Sequence, residues 1–169
     1  MIFDAPYTLV NRYSRGTMAL EILQRDAEGV LIFDLEGRIV AGSEATDLRS
    51  SAASVVAGGS TKVIFNLKKV DYIDSTGLGS LVIAHSALEK AGGAIKLLHL
   101  SKRSSELLIL TKLSTVFEIF DDEQAAINSF FPGREVRRFD ILEFVKSQEG
   151  KPQHLGTNPA GSERNPSEA

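Results

Sequence analysis

The run Val70-Asp71-Tyr72-Ile73-Asp74-Ser75-Thr76-Gly77-Leu78-Gly79-Ser80-Leu81-Val82 decides how the 169-residue chain is read. Apolar residues 63–67 before it read as a strand, and the residues after it keep helical spacing. Two acids, two hydroxyls and two glycines lie between. A strand-to-helix junction is where an α/β protein presents its chemistry. Ser75 falls at the expected helix start, where unpaired backbone N–H groups and the helix dipole favour negative charge. Its hydroxyl can cap the helix or carry a phosphate, and the residues alone leave both open.

Upstream, residues 61–67 form a buried strand that 70–73 extend to the junction. Ser43 is expected to cap a helix over 44–57, with Ala45, Leu48, Ala52, Val55 and Val56 near helical spacing and Gly58-Gly59 as its stop. Leu20, Ile22 and Gln24 alternate as a short strand. Glu28-Gly29 marks a turn into a more buried strand at 30–35, which predicts an antiparallel hairpin. Downstream, the helix spans 75–90 and stops at Gly92-Gly93. Leu78, Leu81, Val82 and His85 share the stripe expected to face the sheet. Ser75, Gly79, Ile83, Ser86 and Lys90 share another face of little side-chain bulk, which suits either close approach by a partner or ordinary solvation. Residues 94–100 form a strand. Ser101 caps a helix to about Leu113 with Leu107, Leu110 and Leu113 inward. Residues 116–120 form a strand, and Asp121-Asp122-Glu123 open a helix carrying Ala126, Ile127, Phe130 and Phe131.

The order β-β-α-β-α-β-α-β-α predicts a mostly parallel sheet with right-handed crossovers. The expected organisation is an irregular lead-in at 1–17, a domain at 18–131, an extension at 132–147 with a short amphipathic helix packing back, and a disordered tail at 148–169.

Composition narrows the function. Apolar content of 43% and charged content of 24% are those of a soluble globular chain, and a net charge of -3 gives no electrostatic footprint for nucleic acid. The absence of cysteine removes disulfides and thiol chemistry and suits a cytoplasmic location. No long apolar run at the N-terminus predicts a signal peptide or membrane span. A phosphate-binding G-x-x-x-x-G-K-[ST] loop is absent. The dinucleotide pattern starts at Gly77 and Gly79 but meets Val82 where its third glycine belongs. Ile73 stands where a G-x-S-x-G nucleophile elbow needs glycine. Asp71 and Asp74 can together hold Mg²⁺ through waters, but capping and solvation are the commoner uses of such acids. His85, His99 and His154 have no metal-site spacing. No catalytic residue, metal or cofactor is expected, and the chain is read as a binding protein rather than an enzyme.

A phosphate on Ser75 would add about -1.5 to -2 charge beside Asp71 and Asp74. The fold should tolerate it at a helix N-terminus. A partner pressed on the junction would have to desolvate it, so phosphorylation would release that partner with little refolding.

The stretch from Val70 to Gly79 resembles the D-S-[ST]-G-L-G signature of STAS domains, and among them the bacterial anti-sigma-factor antagonists. The run 113–121 with Glu123 and Ala125-Ala126 resembles the family's last strand and helix, and Gly92-Gly93 followed by a strand agrees. The resemblance covers roughly 19–131. It implies a STAS-like α/β fold, a mixed, mostly parallel β-sheet with helices packed mainly on one face. It implies an antagonist that binds an anti-sigma factor, a GHKL-type serine kinase, and so frees a sigma factor for transcription. The kinase would phosphorylate Ser75 and a PP2C-type phosphatase would reverse it. ATP would belong to the kinase. The expected partner-binding residues are Asp71, Asp74, Ser75, Thr76, Gly77, Gly79, Ile83 and Ser86. One departure is the loop after the second strand, where many antagonists carry a G-E-[IL]-D-like run and this chain reads Gly37-Arg38-Ile39-Val40. The alternatives are a non-switched STAS scaffold or sensor-complex subunit in which Ser75 is only a helix N-cap, and a small-molecule-binding or enzymatic domain using Asp71, Asp74 and Ser75.

Overall fold

In a computed structural model, residues 8–11 and 20–149 are described. The hairpin is set by its turn. Strands β2 (Glu21–Ala27) and β3 (Val30–Ile39) pair antiparallel, with Ala27 opposite Val30. The two residues between them, Glu28 and Gly29, both have positive φ (57° and 84°). That is the turn whose twist matches paired strands, and Asp26 Oδ1 accepts the Gly29 N–H at 3.1 Å.

Strand β1 (Thr8–Asn11) adds antiparallel to the outer edge of β2. The irregular lead-in expected at 1–17 therefore contains a strand; its remaining residues lie outside those described, as does the expected tail from 150 onward. β4 (Lys62–Ile73), β5 (Ala94–Leu98) and β6 (Ile119–Phe120) follow in parallel, giving a six-stranded sheet in chain order. Parallel strands added in one direction through right-handed crossovers keep successive helices on one side. Accordingly α1 (Ser43–Ala57), α2 (Ser75–Lys90) and α3 (Lys102–Leu110) contribute to one core, in which Leu48, Leu81, Leu88 and Leu108 meet Phe33, Phe65 and Leu97. Phe33 and Phe65 pack edge to face at 5.7 Å. The opposite face holds a smaller cluster of Val30, Ile32, Ile64, Leu98 and Phe120 under Ala125, Ala126 and Ile127 of α4 (Glu123–Asn128). This is the mixed sheet with helices mainly on one face.

Several local expectations are corrected. α1 begins one residue early, with Gly42 (φ 114°) at its cap and no side-chain cap bond; Ser43 is helical and its hydroxyl bonds Glu44. Ser101 does cap α3, accepting the Ser104 N–H at 3.1 Å. Of the three leucines expected inward, Leu107 and Leu113 pack half-buried against the core but Leu110 is 81% exposed, and the fully buried residues of α3 are Ser104, Ser105 and Leu108. The helix stops at Leu110 because Lys112 turns left-handed (φ 63°) into a 3-10 turn at Leu113–Thr115. That turn leaves Val116 exposed and shortens the expected strand to Ile119–Phe120. The extension does form a helix, α5 (Ile141–Glu149), which packs on α3. Phe139 and Ile141 lie against the main core.

Candidate functional site

The β4–α2 junction is held from beneath by the end of β3. Asp74, extended at φ -93° and ψ -179°, is the N-cap of α2. One carboxylate oxygen accepts the Gly77 N–H at 2.7 Å and the other accepts the Ala41 N–H at 3.0 Å. The Asp74 N–H donates to the Ile39 carbonyl at 3.2 Å. One residue thus starts a helix and fastens the β3–α1 loop to it. These hydrogen bonds, that from Gly77 foremost, hold the Asp74 carboxyl below the usual carboxylate range, and the charge of Arg38 acts in the same sense.

Gly77 is fixed by close approach. A Cβ there would stand 1.9 Å from the Ile39 carbonyl oxygen. Gly77 is buried, so among the expected contact residues it serves packing rather than surface. Gly79, two residues on, has nothing within 4 Å of a notional Cβ.

Ser75 is the first helical residue, not the cap, and is exposed together with Thr76. Asp71 is exposed at the end of β4. On the outer face of α2, Ile83 is 50% exposed and Ser86 is exposed, with Gly79 half-buried between them and the junction. Ser75, Thr76, Gly79, Ile83 and Ser86 therefore form one accessible strip beginning at the junction. The stripe facing the sheet is centred on Leu78, Leu81, Ala84 and Leu88. His85 sits at its margin with Nε2 3.0 Å from Glu89 and its ring 5.0 Å from Phe117.

The run expected as a loop after the second strand is instead paired through Ile39 as the end of β3: Arg38 stands in register with Tyr72 and lies 5.2 Å from the centre of its ring. Arg103 of α3 lies 5.7 Å from the same ring. The part of Arg103, and of the backbone groups of Ile39 and Ala41, carries no sequence signal, because it arises only when separate segments meet. Among the described residues no cluster of three or more His, Asp or Glu side chains is arranged to hold a metal. No helix among them is long and apolar enough to cross a membrane.

Comparison with known proteins agrees with this fold. BtrV of Bordetella bronchiseptica, named as an anti-sigma factor antagonist, is 27% identical over 103 residues, covering 61% of this chain and 88% of its own. The crystal structure of an anti-sigma factor antagonist from Mycobacterium paratuberculosis superposes with a TM-score of 0.60 at 22% identity, over 68% of this chain and 96% of that one. The phosphorylated form of the Bacillus cell-fate determinant SpoIIAA gives 0.53 at 19% identity, over 64% and 98%. The fold is not confined to such proteins: the murine anion transporter Slc26a9 gives 0.53 at 19% identity, over 61% of this chain and 18% of that one. Residues 21–126, more than half of the chain, match the STAS domain family, and the chain belongs to that family.

Proposed function

We propose that the protein is an anti-sigma-factor antagonist that binds an anti-sigma serine kinase when unphosphorylated and is released when Ser75 is phosphorylated. The observation that carries this reading is the division between Asp74 and Ser75. Asp74 takes the capping role, so the exposed Ser75 hydroxyl has no structural duty and is accessible to an enzyme. Reading Ser75 as the N-cap falls with the same observation.

Binding would use the strip from Ser75 and Thr76 to Ile83 and Ser86, with Asp71 at its edge. An added dianion there would be costly for a partner to desolvate next to Asp71 and Asp74. The chain itself would catalyse nothing. The nucleotide would be the kinase's, of GHKL type, and a PP2C-type phosphatase would restore the binding form. Support comes from the named relatives and from the phosphorylated state recorded for SpoIIAA.

The test is to incubate the protein with its anti-sigma factor and ATP, map the modification by mass spectrometry, and measure complex formation for the parent, Ser75→Ala and Ser75→Asp. Modification at Ser75, retained binding by Ser75→Ala and lost binding by Ser75→Asp are expected. Equal binding by both variants would replace the switch with a constitutive STAS scaffold.

A further inference from the structure

The chain leaves β5 and β6 in opposite directions. After β5 it turns at His99 toward α3 on the main-core face, and after β6 it turns at Asp121 toward α4 on the other face. Diverging connections leave the carboxyl ends of adjacent parallel strands uncovered, and in α/β sheets that crevice is where ligands bind. Here it is a cavity of about 270 Å³, at the small end of ligand sites. Lys68 borders it from β4, His99 and Leu100 from the end of β5, and Asp121 from the end of β6. His99 is left-handed at φ 59°, which a residue with a Cβ rarely adopts. Its N–H is tied to the neighbouring strand, donating to the Phe120 carbonyl at 2.9 Å. Backbone held in this region collects at binding sites. Burial, and after it the charge of Lys68, hold the imidazole below its usual range, while Asp121 acts against them. The ring is thus a neutral hydrogen-bonding group at pH 7, with one cation and one anion in electrostatic reach. The remaining wall is aromatic. Phe139 and Phe144 of the C-terminal extension border the cavity with ring centres 5.5 Å apart and planes inclined at 54°. Phe139 is seated on the main core, and Phe144 is carried by α5.

We propose that this crevice binds a free α-amino acid with an apolar side chain. Lys68 receives the carboxylate and Asp121 the ammonium group. His99 offers a hydrogen bond between them, and the ligand side chain lies against Leu100, Phe139 and Phe144. A simple anion would meet Asp121 and a simple cation would meet Lys68, whereas a zwitterion is complementary to both. The site does not involve Ser75, so it stands or falls apart from the switch proposed above.

The experiment titrates the ¹⁵N-labelled full chain with L-phenylalanine, 3-phenylpropionate and phenethylamine, followed by NMR. The three probes share the ring and carry both charges, the carboxylate alone and the ammonium alone. Saturable shifts centred on residues 68, 99–101, 121, 139 and 144 are expected with L-phenylalanine, and each singly charged probe should bind about tenfold more weakly or worse. Lys68→Met and Asp121→Asn change exposed side chains; their thermal melts should match the parent while their affinity for L-phenylalanine falls by a similar factor. The absence of saturable shifts up to about 10 mM L-phenylalanine overturns the site, and so do shifts that saturate at other residues. Equal affinity for either singly charged probe overturns the zwitterion. The probe series uses the parent protein, so it decides the matter even where a substitution disturbs the fold.

Discussion

Replacing Asp74 tests the claim that one carboxylate organises the junction. Asp74→Ala removes the acceptor for the Gly77 N–H and the acceptor for the Ala41 N–H. Loss of an N-cap costs about 1 kcal/mol. The second bond, from a loop N–H to a charged acceptor at a partly exposed site, adds about 1 kcal/mol. The sum of about 2 kcal/mol corresponds to a fall of about 8 °C in Tm for a domain of this size. Asp74→Asn should lose about half of that, because asparagine caps well but offers one oxygen in place of two. The pH dependence separates charge from shape. The folded carboxyl ionises below its unfolded value of about 3.9, so its contribution is complete above that value and is lost as pH falls through the folded one. Thermal melts at a series of pH values should show the parent above Asp74→Asn at pH 7 and the gap shrinking in the acid range below about pH 4. A Tm for Asp74→Ala within about 1 °C of the parent would refute the reasoning. So would a gap to Asp74→Asn that is as wide at pH 3 as at pH 7.

Four other substitutions separate fold from surface. Gly77→Ala sets a methyl carbon 1.9 Å from the Ile39 carbonyl oxygen; the backbone must move, and urea unfolding should show a loss of about 3 kcal/mol or more. Gly79→Ala meets open space and should raise stability by about 0.5–1 kcal/mol through helix propensity, while weakening the anti-sigma complex if the partner's backbone approaches that face. Ile83→Glu changes a half-exposed side chain, so Tm should stay within about 2 °C while the affinity measured by calorimetry falls at least tenfold. Arg25→Met strands Asp34 and Glu123, which Arg25 joins at 2.7 and 2.5 Å; with both acids partly solvated, a loss of about 2 kcal/mol in a chemical melt is expected.

Periodicity exposed most of the fold. The alternation in residues 20–35 and the apolar run at 61–67 give the three central strands, because burial on one or both faces imposes a pattern that a reader can count. It failed where two patterns compete. In 101–113 the leucines at 107, 110 and 113 mark a stripe three residues apart; Leu107 and Leu113 do reach the core, but Leu110 faces solvent and the fully buried positions are Ser104, Ser105 and Leu108. Buried hydroxylated residues are what a polarity pattern does not show. The left-handed Lys112 and the 3-10 turn after it are likewise invisible to a propensity reading, so the apolar pattern at 116–120 overstates a strand of Ile119–Phe120. At the junction the residues were legible but their assignments were not. Both Asp74 and Ser75 are good capping residues, and only the register of β4 on β3 decides between them.

That decision bears on how a phosphate would be held. From the residues alone, a phosphoserine at a helix start draws its stabilisation from the unpaired N–H groups of the first turn. In the folded protein Asp74 already accepts the Gly77 N–H, is further stabilised by the Thr76 N–H, and brings its own negative charge to the same corner. The N-terminus of α2 is therefore largely spent before any modification arrives, and the dipole is partly neutralised by a resident carboxylate. A dianion at Ser75 consequently gains less from the helix than the bare motif suggests and meets more repulsion. Asp74→Asn should therefore ease the second ionisation of a phosphate installed at Ser75, read as a lower midpoint in a ³¹P titration of the phosphoserine protein; an unchanged midpoint would show that the carboxylate and the phosphate do not share the corner.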